Sequence, residues 1–371
     1  MHKKYFIPIV ILEVIIGLSA LAYIASAFWN RPLGPSLDLP VAASAQEGNP
    51  ASSASSQAGN DSAAVPTPKP KTLIDQIAAL LNPATSENET LCGGPAVMTI
   101  LLVGSDERAD DYLYGLADSI RVVRIDFNAP KIMILDIPRD LWVEIPDIAE
   151  HYGIDHGKLN QAYFFGNPGM GYYDGPGEGP GLLARTLELN YGLRVDHYLA
   201  VDMQTFVRII DAIGGIDVQV ASKIDLNEQQ DGANPEYVYE PGTHHLNGTQ
   251  ALKLAMNRYP TIFQRARYQN IVLRAIQEKL LTPSSIPHIP EFISEFSRSV
   301  QTDLSPNDIN KLVCISKTLT KENTDFVAFP DDMFTGGHTF DPYRQVNTYT
   351  LSVDNTLMRS YLTDFINGTW R

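Results

Sequence analysis

The segment from Val97 to Val103 is an apolar run, Val-Met-Thr-Ile-Leu-Leu-Val, that stops at Gly104. Runs of this kind are typical of strands buried on both faces, in sheets that carry helices on both sides. Further strand patterns follow at 119–127 and 131–137, and the Asn-Ala-Pro between them predicts a tight turn and an antiparallel pair. Because strand and helix patterns then alternate, we expect a layered α/β/α domain with a central mixed sheet.

The rest of the chain adds helical and strand patterns to this core. Residues 166–181 contain many glycines and prolines and predict a mobile loop over a site. Strands are expected at 197–201, 216–220, 325–329 and 348–353. Helices are expected at 182–189, 203–213, 250–257, 264–281, 306–320 and 354–366.

The first ninety residues differ in composition from the rest. The apolar run 5–29 is long enough to span a bilayer as a helix, and the basic residues before it place the tip 1–4 in the cytoplasm. A cleaved signal peptide is the alternative. Residues 30–90 are rich in Pro, Ala and Ser and predict a disordered stalk, with a short helix at 73–81. The globular domain, 91–371, is then extracytoplasmic.

Net charge and cysteine content limit the classes of function. The formal charge is −15, from 28 basic and 43 acidic residues, which argues against a nucleic-acid surface. An anion would therefore have to bind in a local basic pocket. Cys92 and Cys314 are the two cysteines, and in an oxidising compartment they either form a disulfide or stay as two unpaired thiols.

The strand at 131–137 leads directly into Pro138, Arg139 and Asp140. In open α/β sheets, ligands bind outside the carboxyl ends of the strands. The planar guanidinium of Arg139 suits a phosphate or a carboxylate. The alternative is an Arg–Asp pair that faces water and contributes little.

Other charged groups follow strand ends or share a helix. Two carboxylates near several cations provide what a phosphoryl-transfer site needs, because carboxylates hold a hard divalent ion and cations stabilise the charge that develops. Alternatively, the aspartates are turn residues and the basic residues belong to a solvated helix face. The residues concerned are Asp106, Arg108, Asp118, Lys158, Asn160, Arg258, Arg265 and Gln269.

The order of these motifs resembles the LytR–CpsA–Psr family of cell-envelope proteins. The resemblance covers residues 97–281 well and the C-terminal third loosely. The matching segments are 100–108, 136–140, 158–163, 196–198, 210–218, 241–242, 246–252 and 265–269.

The resemblance implies a magnesium-assisted phosphotransferase that moves a glycopolymer from a polyprenyl-pyrophosphate carrier to peptidoglycan and leaves a phosphodiester. The implied partners are the carrier-linked glycan, peptidoglycan and membrane lipid, with no nucleic acid, and the lipid tail would lie in an apolar groove between sheet and helices. The implied roles are magnesium binding by Asp106 and Asp118, catalysis by Arg139 and Asp140, phosphate binding by Arg108, Lys158, Arg258, Arg265 and Gln269, and support of the Lys158 loop by Asn160.

The chain departs from the family pattern at Leu116, Met256, Ile262 and Tyr268. Three of these positions usually carry a basic residue, so the expected cationic shell is reduced. Losing one donor to developing charge can cost about a hundredfold in rate. Arg121, Arg124, Arg258 and Arg267 are candidates to compensate. The alternatives are therefore a non-catalytic protein that binds the carrier lipid or cell-wall glycan, and a structural or regulatory envelope protein.

Overall fold

A six-stranded sheet forms the centre of the computed structural model, which describes residues 29–39, 90–106, 115–227, 234–258, 263–280, 282 and 299–370. The strand order is β11-β6-β1-β2-β3-β12. The strands of this sheet are β1 (Val97–Ser105), β2 (Ala117–Asp126), β3 (Lys131–Asp136), β6 (His197–Asp202), β11 (Val300–Thr302) and β12 (Thr324–Val327).

The sheet is mixed, as the sequence predicts. β1 pairs with β2 antiparallel and with β6 parallel, and β2 pairs with β3 antiparallel through the predicted turn. β12 joins β3 in parallel, while β11 joins β6 antiparallel. Because β1 lies in the middle of this order, its side chains are covered on both faces, which explains its apolar character.

Helices cover both faces of the sheet. Short strand pairs lie around them: β4 (Trp142–Glu144) with β5 (His156–Lys158), β7 (Ile216–Val220) with β10 (Gly242–Leu246), β8 (Ile224–Asp225) with β9 (Val238–Tyr239), and β13 (Thr335–Asp341) with β14 (Val346–Ser352). The helices are α1 (Ala149–Tyr152), α2 (Leu159–Gly166), α3 (Glu178–Tyr191), α4 (Met203–Ala212), α5 (Gly248–Met256), α6 (Gln264–Leu280), α7 (Pro306–Ser316) and α8 (Asn355–Asn367).

Alternate side chains of β1 and β2 point to opposite layers. Leu101 and Val122 are fully buried in the cluster formed with α2, α3 and α8. Ile100 and Val123 point the other way and pack with Ile315 of α7. The α6 helix also borders this second face, where its Gln277 donates to Thr324 of β12. The domain is therefore the layered α/β/α structure that the sequence predicts.

A smaller apolar cluster lies beside the sheet. The α4, α5 and α6 helices pack there on the β7–β10 hairpin, with Ile210, Ile216 and Leu254 fully buried. Tyr268 of α6 belongs to this cluster and is 8% exposed. The cluster holds α6 in place, and α6 in turn carries two of the predicted site residues.

Cys92 and Cys314 form a disulfide, so the first of the two alternatives is correct. The bridge joins the 3-10 turn Leu91–Gly93 to the α7 helix. It therefore connects the start of the globular domain to the helix that covers one face of the sheet.

Residues 31–39 pack on the domain, whereas the sequence assigns them to a disordered stalk. Leu37 is 2% exposed within the main core. The Leu33 N–H donates to the Leu304 carbonyl at 3.2 Å, and Arg194 donates to the Leu39 carbonyl at 2.8 Å. The apolar Leu37 side chain, within a polar and Pro-rich composition, is the local signal for this contact.

Other N-terminal predictions fall outside the described residues. These are the tip 1–4, the apolar run 5–29 except Trp29, the remainder of the stalk and the helix at 73–81. Among the residues that the structure describes, no helix combines the length and apolar character needed to cross a bilayer. All described residues belong to one compact unit.

The Gly-rich segment 166–181 does not lie over the candidate site described below. It contains a 3-10 turn at Pro168–Met170 and the first turn of α3. Tyr172 and Tyr173 are buried in the main core, and Tyr173 donates to the Pro176 carbonyl at 3.0 Å. The prediction of a loop over the site is wrong because no residue of 166–181 lines the pocket.

Candidate active site

A polar pocket opens where β3 ends and β2 begins. Because these strands are antiparallel, the end of one lies beside the start of the other. The α6 helix and the β14 strand complete its walls. The lining residues include Asp118, Asp136, Arg139, Asp140, Phe263, Arg265, Gln269 and Leu351.

Backbone hydrogen bonds hold the Arg139–Asp140 segment from three directions. The Arg139 carbonyl accepts from the Asn160 N–H at 3.1 Å, and the Asp140 carbonyl accepts from the Leu351 N–H at 2.8 Å. The Leu141 carbonyl accepts from the Leu159 N–H at 2.8 Å. Asn160 is thus placed beneath Arg139, and the segment is positioned before any ligand arrives, which is the preorganisation that catalysis requires.

Asp118 is the carboxylate around which the arginines gather. Its Oδ1 accepts a hydrogen bond from Arg139 Nη1. Its Oδ2 lies 3.6 Å from Arg265 and 3.8 Å from Arg258, whose side chain is half exposed. The predicted catalytic residue Arg139 and two predicted phosphate ligands, from distant parts of the chain, are therefore brought to one point.

Asp140 and Lys158 form a second ion pair in the site. Lys158 Nζ donates to Asp140 Oδ1 at 2.8 Å, and Arg139 Nε lies 3.5 Å from the other oxygen. Burial alone would raise the pKa of Asp140, but Arg139 and Lys158 outweigh it and hold the pKa below the ordinary value. Asp140 is therefore ionised at neutral pH and orients both cations.

The arginines are held in an environment that disfavours their charge. Burial lowers the pKa of Arg139 to about 10, and the nearby charges of Arg265 and Arg258 add to this effect. Burial also lowers the pKa of Arg265 to about 10, again with a contribution from Arg258. A bound anion would reduce the repulsion between cations at such a partly buried site.

Asp106 also lies near these groups, since its charge raises the pKa of Arg139. Its Oδ1 accepts from the Leu116 N–H at 2.5 Å, and its own N–H donates to the Leu116 carbonyl at 2.9 Å. No cluster of three or more acidic, His or Cys side chains among the described residues could hold a metal by itself. The two carboxylates of Asp106 and Asp118 are of the ligand type that Mg²⁺ prefers, since this ion usually takes one or two carboxylates and completes its shell with phosphate and water.

A buried polar layer lies behind the pocket. Arg121 of β2 is 2% exposed and lies opposite Asp136 in the strand register. Gln269 of α6 accepts hydrogen bonds from Arg121 and Ser119, both at 3.2 Å. Gln269 lines the pocket, so this layer connects the sheet to a predicted phosphate ligand.

An apolar cleft of about 480 Å³ adjoins the polar pocket and shares four lining residues with it. Phe329 and Phe334 form one wall, and Phe263 stands between the two cavities with its ring 5.9 Å from that of Phe334. The cleft lies between the end of β3 and α6, and its lining also includes the polar residues Asp136, Arg267, Asn270, Asp331 and Asp332.

The residues that depart from the family pattern lie in different surroundings. The Leu116 backbone holds Asp106, as described above. Met256 is 41% exposed, and Tyr268 belongs to the small apolar cluster, so neither provides a cation. Ile262 and the predicted phosphate ligand Arg108 lie outside the described residues.

Of the four arginines considered as compensation, Arg258 reaches Asp118 and Arg121 lies behind the pocket. Arg124 donates to the Ile366 carbonyl at 2.7 Å, on the other face of the sheet. Arg267 is 56% exposed and pairs with Asp331 at the apolar cleft. Arg124 and Arg267 therefore do not replace the expected phosphate ligands.

Asp136 and Leu351 are among the pocket residues that were not predicted as site residues from the sequence. Asp136 is the last residue of β3, and burial raises its pKa although Arg121 and Arg265 oppose this. Its position three residues before Arg139 is a local signal that could have identified it. Leu351 comes from the distant β14 strand, and no local pattern indicates its contribution.

These observations define a class of protein: an α/β protein whose sheet presents a polar pocket of arginines and aspartates at strand ends, beside a cleft with a phenylalanine wall. The chain belongs to the LytR_cpsA_psr family, which matches residues 82–360. The family resemblance seen in the motifs is thereby confirmed.

Curated relatives carry the name polyisoprenyl-teichoic acid–peptidoglycan teichoic acid transferase TagU. The protein from Oceanobacillus iheyensis is 33% identical over 219 residues, which are 58% of this chain and 62% of that protein. A protein of the same name from Bacillus anthracis is 29% identical over 238 residues, covering 63% of this chain and 69% of its own length.

Solved structures of similar fold agree with this membership. The crystal structure of B. subtilis TagV superposes with a TM-score of 0.55 at 25% identity, covering 74% of this chain and 98% of that one. A structure described as TagT bound to LIIa-WTA shares the fold with a TM-score of 0.55 at 21% identity, over 76% of this chain and 94% of the other.

Proposed function

We propose that this protein is a membrane-anchored phosphotransferase that moves a glycopolymer from a polyprenyl-pyrophosphate carrier to peptidoglycan. The observation that carries the proposal is the convergence of Arg139, Lys158, Arg258 and Arg265 with two aspartates at one pocket. The family membership and the names of the relatives support the same substrate class.

The proposed reaction is a displacement at the phosphorus that carries the glycan. A hydroxyl oxygen of peptidoglycan forms a new bond to that phosphorus, and the bond to the bridging pyrophosphate oxygen breaks. Polyprenyl phosphate leaves, and the hydroxyl proton passes to solvent. Negative charge grows on the bridging oxygen, so cations that already point into the pocket lower the barrier.

We assign the roles from the contacts. Arg139 and Arg265 exchange Asp118 for the pyrophosphate oxygens, and Arg258 assists from the rim. Asp140, kept ionised by its two cations, orients Arg139 and Lys158. Asp106 and Asp118 would hold magnesium. When bound, the ion would neutralise phosphate charge and polarise the phosphorus.

The carrier lipid needs an apolar path that starts at the phosphates. The cleft lined by Phe263, Phe329 and Phe334 begins at the polar pocket, and we assign the first isoprene units to it. An apolar run at 5–29 would keep the domain at the membrane in which such a carrier resides.

A second candidate is a non-catalytic protein that binds the carrier. The specific observation in its favour is the reduced cationic shell: Met256 is an exposed apolar residue and Tyr268 is buried in the small cluster. Such a protein would bind a polyprenyl pyrophosphate and release no phosphate from it.

The test measures magnesium-dependent release of phosphate from a polyprenyl pyrophosphate, with water in place of the acceptor hydroxyl. We expect release by the wild type and a loss of about a hundredfold or more in Arg139→Ala. Arg185→Ala is the matched control, because Arg185 pairs with Asp147 outside the pocket. Equal background release by wild type and Arg139→Ala, with binding retained, would favour the second candidate.

A further inference from the structure

Arg121 is a buried arginine without a direct place in the pocket. Its Nη1 donates to Asn270 Oδ1 at 2.7 Å. Its Nη2 lies 3.2 Å from the Ala266 carbonyl and 3.2 Å from Gln269 Oε1. Burying a charge is costly unless its hydrogen bonds are satisfied. The two terminal nitrogens have four polar partners, of which three lie on the α6 helix and the fourth is Asp136, while the buried Nε has no hydrogen-bond partner.

One of these partners is a predicted phosphate ligand whose orientation Arg121 determines. A guanidinium is only a donor, so the carbonyl end of the Gln269 amide has to face it. Ser119 Oγ donates to the same oxygen. The amide nitrogen therefore points away from Arg121 and donates to the Ala255 carbonyl at 3.3 Å. The same nitrogen carries a second hydrogen, and Gln269 lines the pocket.

Arg121 also balances Asp136 at the back of the pocket. Its Nη2 lies 3.4 Å from Asp136 Oδ1, and the two residues are direct cross-strand neighbours. Asp136 interacts electrostatically with Arg265 as well. Without Arg121, Asp136 would compete for Arg265 with Asp118 and with the ligand.

We propose that Arg121 is a positioning residue for pyrophosphate recognition: it turns the Gln269 amide so that its donor end serves the pocket, and it neutralises Asp136 so that Arg265 stays directed to the ligand. The inference rests on the proposed function, because it concerns the same pyrophosphate pocket. Arg121 does not contact the substrate in this proposal, but it contributes to the selectivity of the site for multiply charged anions.

The first experiment compares two buried arginines on one strand. Arg121→Met keeps the length of the side chain and removes the charge and the donors, while Arg124→Met does the same on the opposite face, where Arg124 is 5% exposed. Binding of inorganic pyrophosphate with magnesium is measured by calorimetry, and folding by thermal melts. We expect Arg121→Met to lose about tenfold to a hundredfold in affinity and Arg124→Met to stay within about threefold, at comparable losses of thermal stability.

A double-mutant cycle separates positioning from a general structural effect. If Arg121 acts through Gln269, the loss of pyrophosphate affinity caused by Arg121→Met should be smaller in a Gln269→Ala background than in the wild type, by about threefold or more. Arg121→Lys keeps the charge beside Asp136 and is expected to bind with intermediate affinity. A side chain that merely supports the fold would produce the same loss in both backgrounds.

The outcomes distinguish this inference from the proposed function. Wild-type affinity in Arg121→Met would overturn the role of Arg121, and equal losses in the two Gln269 backgrounds would overturn its action through Gln269; either result leaves the proposed function standing. A wild-type protein that does not bind pyrophosphate at all would overturn both.

Discussion

Replacement of Asp118 by asparagine tests the centre of the candidate site. Asp118 accepts a hydrogen bond from Arg139 and lies within 4 Å of Arg258 and Arg265. Asparagine has nearly the same shape and removes the charge. In the ligand-free protein Asp118 competes with an incoming phosphate for these cations, and with magnesium present it is a predicted metal ligand. The substitution should therefore have opposite effects on phosphate affinity without magnesium and with magnesium.

The contacts of Asp118 give the expected size of the change in pyrophosphate affinity. A hydrogen bond between charged groups contributes about 1.5 to 3 kcal/mol, and the asparagine oxygen retains part of it. The contacts at 3.6 and 3.8 Å to Arg265 and Arg258 exceed hydrogen-bond distance, and Arg258 is half exposed, so they add little. Removing the charge should relieve about 1 to 2 kcal/mol, which tightens magnesium-free pyrophosphate binding about 5- to 30-fold.

With magnesium present, we expect Asp118→Asn to weaken pyrophosphate binding instead of strengthening it. If Asp118 holds the ion, magnesium strengthens pyrophosphate binding by the wild type and has little effect on Asp118→Asn, so the variant becomes the weaker binder. Calorimetric titrations of pyrophosphate with and without magnesium measure both effects. Asp325→Asn is the control, since Asp325 forms an exposed pair with Lys131 at 2.9 Å.

Two results would refute this reasoning. Weaker magnesium-free binding by Asp118→Asn would show that the carboxylate does not compete with the ligand for Arg139. A magnesium effect of wild-type size in the variant would show that Asp118 is not a metal ligand, and the assignment of the ion would have to be revised.

Three further predictions concern stability. Serine at both Cys92 and Cys314, which are 222 residues apart, should lower the free energy of unfolding in urea by about 2 to 5 kcal/mol. Leu37→Ala should cost about 2 to 5 kcal/mol by the same assay, because Leu37 is 2% exposed; a cost below about 0.5 kcal/mol would contradict the docking of this segment. Burial lowers the pKa of His197, but Asp303 outweighs burial and raises the pKa above 6.5 overall. The stability that protonated His197 contributes below pH 6.5 should therefore disappear as the pH rises through the raised pKa. His197→Gln should abolish this pH dependence of the free energy of unfolding.

Local patterns predicted the core of the fold. The strands around Val97–Val103, 119–127 and 131–137 form the centre of the sheet, because an apolar run between turn signals has few other stable conformations. The α2 helix (Leu159–Gly166) was not predicted, and the β13–β14 hairpin only in part. The α2 helix lacks a clear amphipathic pattern since seven of its eight residues are buried, and β13 is largely exposed and rich in glycine.

In the candidate site, too, some residues could be predicted from local motifs and others could not. Arg139, Lys158 and Arg265 were identified from motifs, and they meet at one pocket. Arg121 had no assigned position, because only strand register places it opposite Asp136 and under α6. The composition of the Gly-rich segment 166–181 suggested a role over the site, but none of its residues lines the pocket.

The sequence by itself determined five of the six strands of the sheet, all but β11, and the identity of the cationic residues, because both depend on side-chain type and short spacing. Only the tertiary structure decided how the charges are distributed: Asp118 gathers three arginines, and Arg121 turns Gln269 toward the pocket. The same holds for the attachment of residues 31–39 to the core. Charge pairing and burial depend on distances between segments far apart in the chain, and no local pattern encodes those distances.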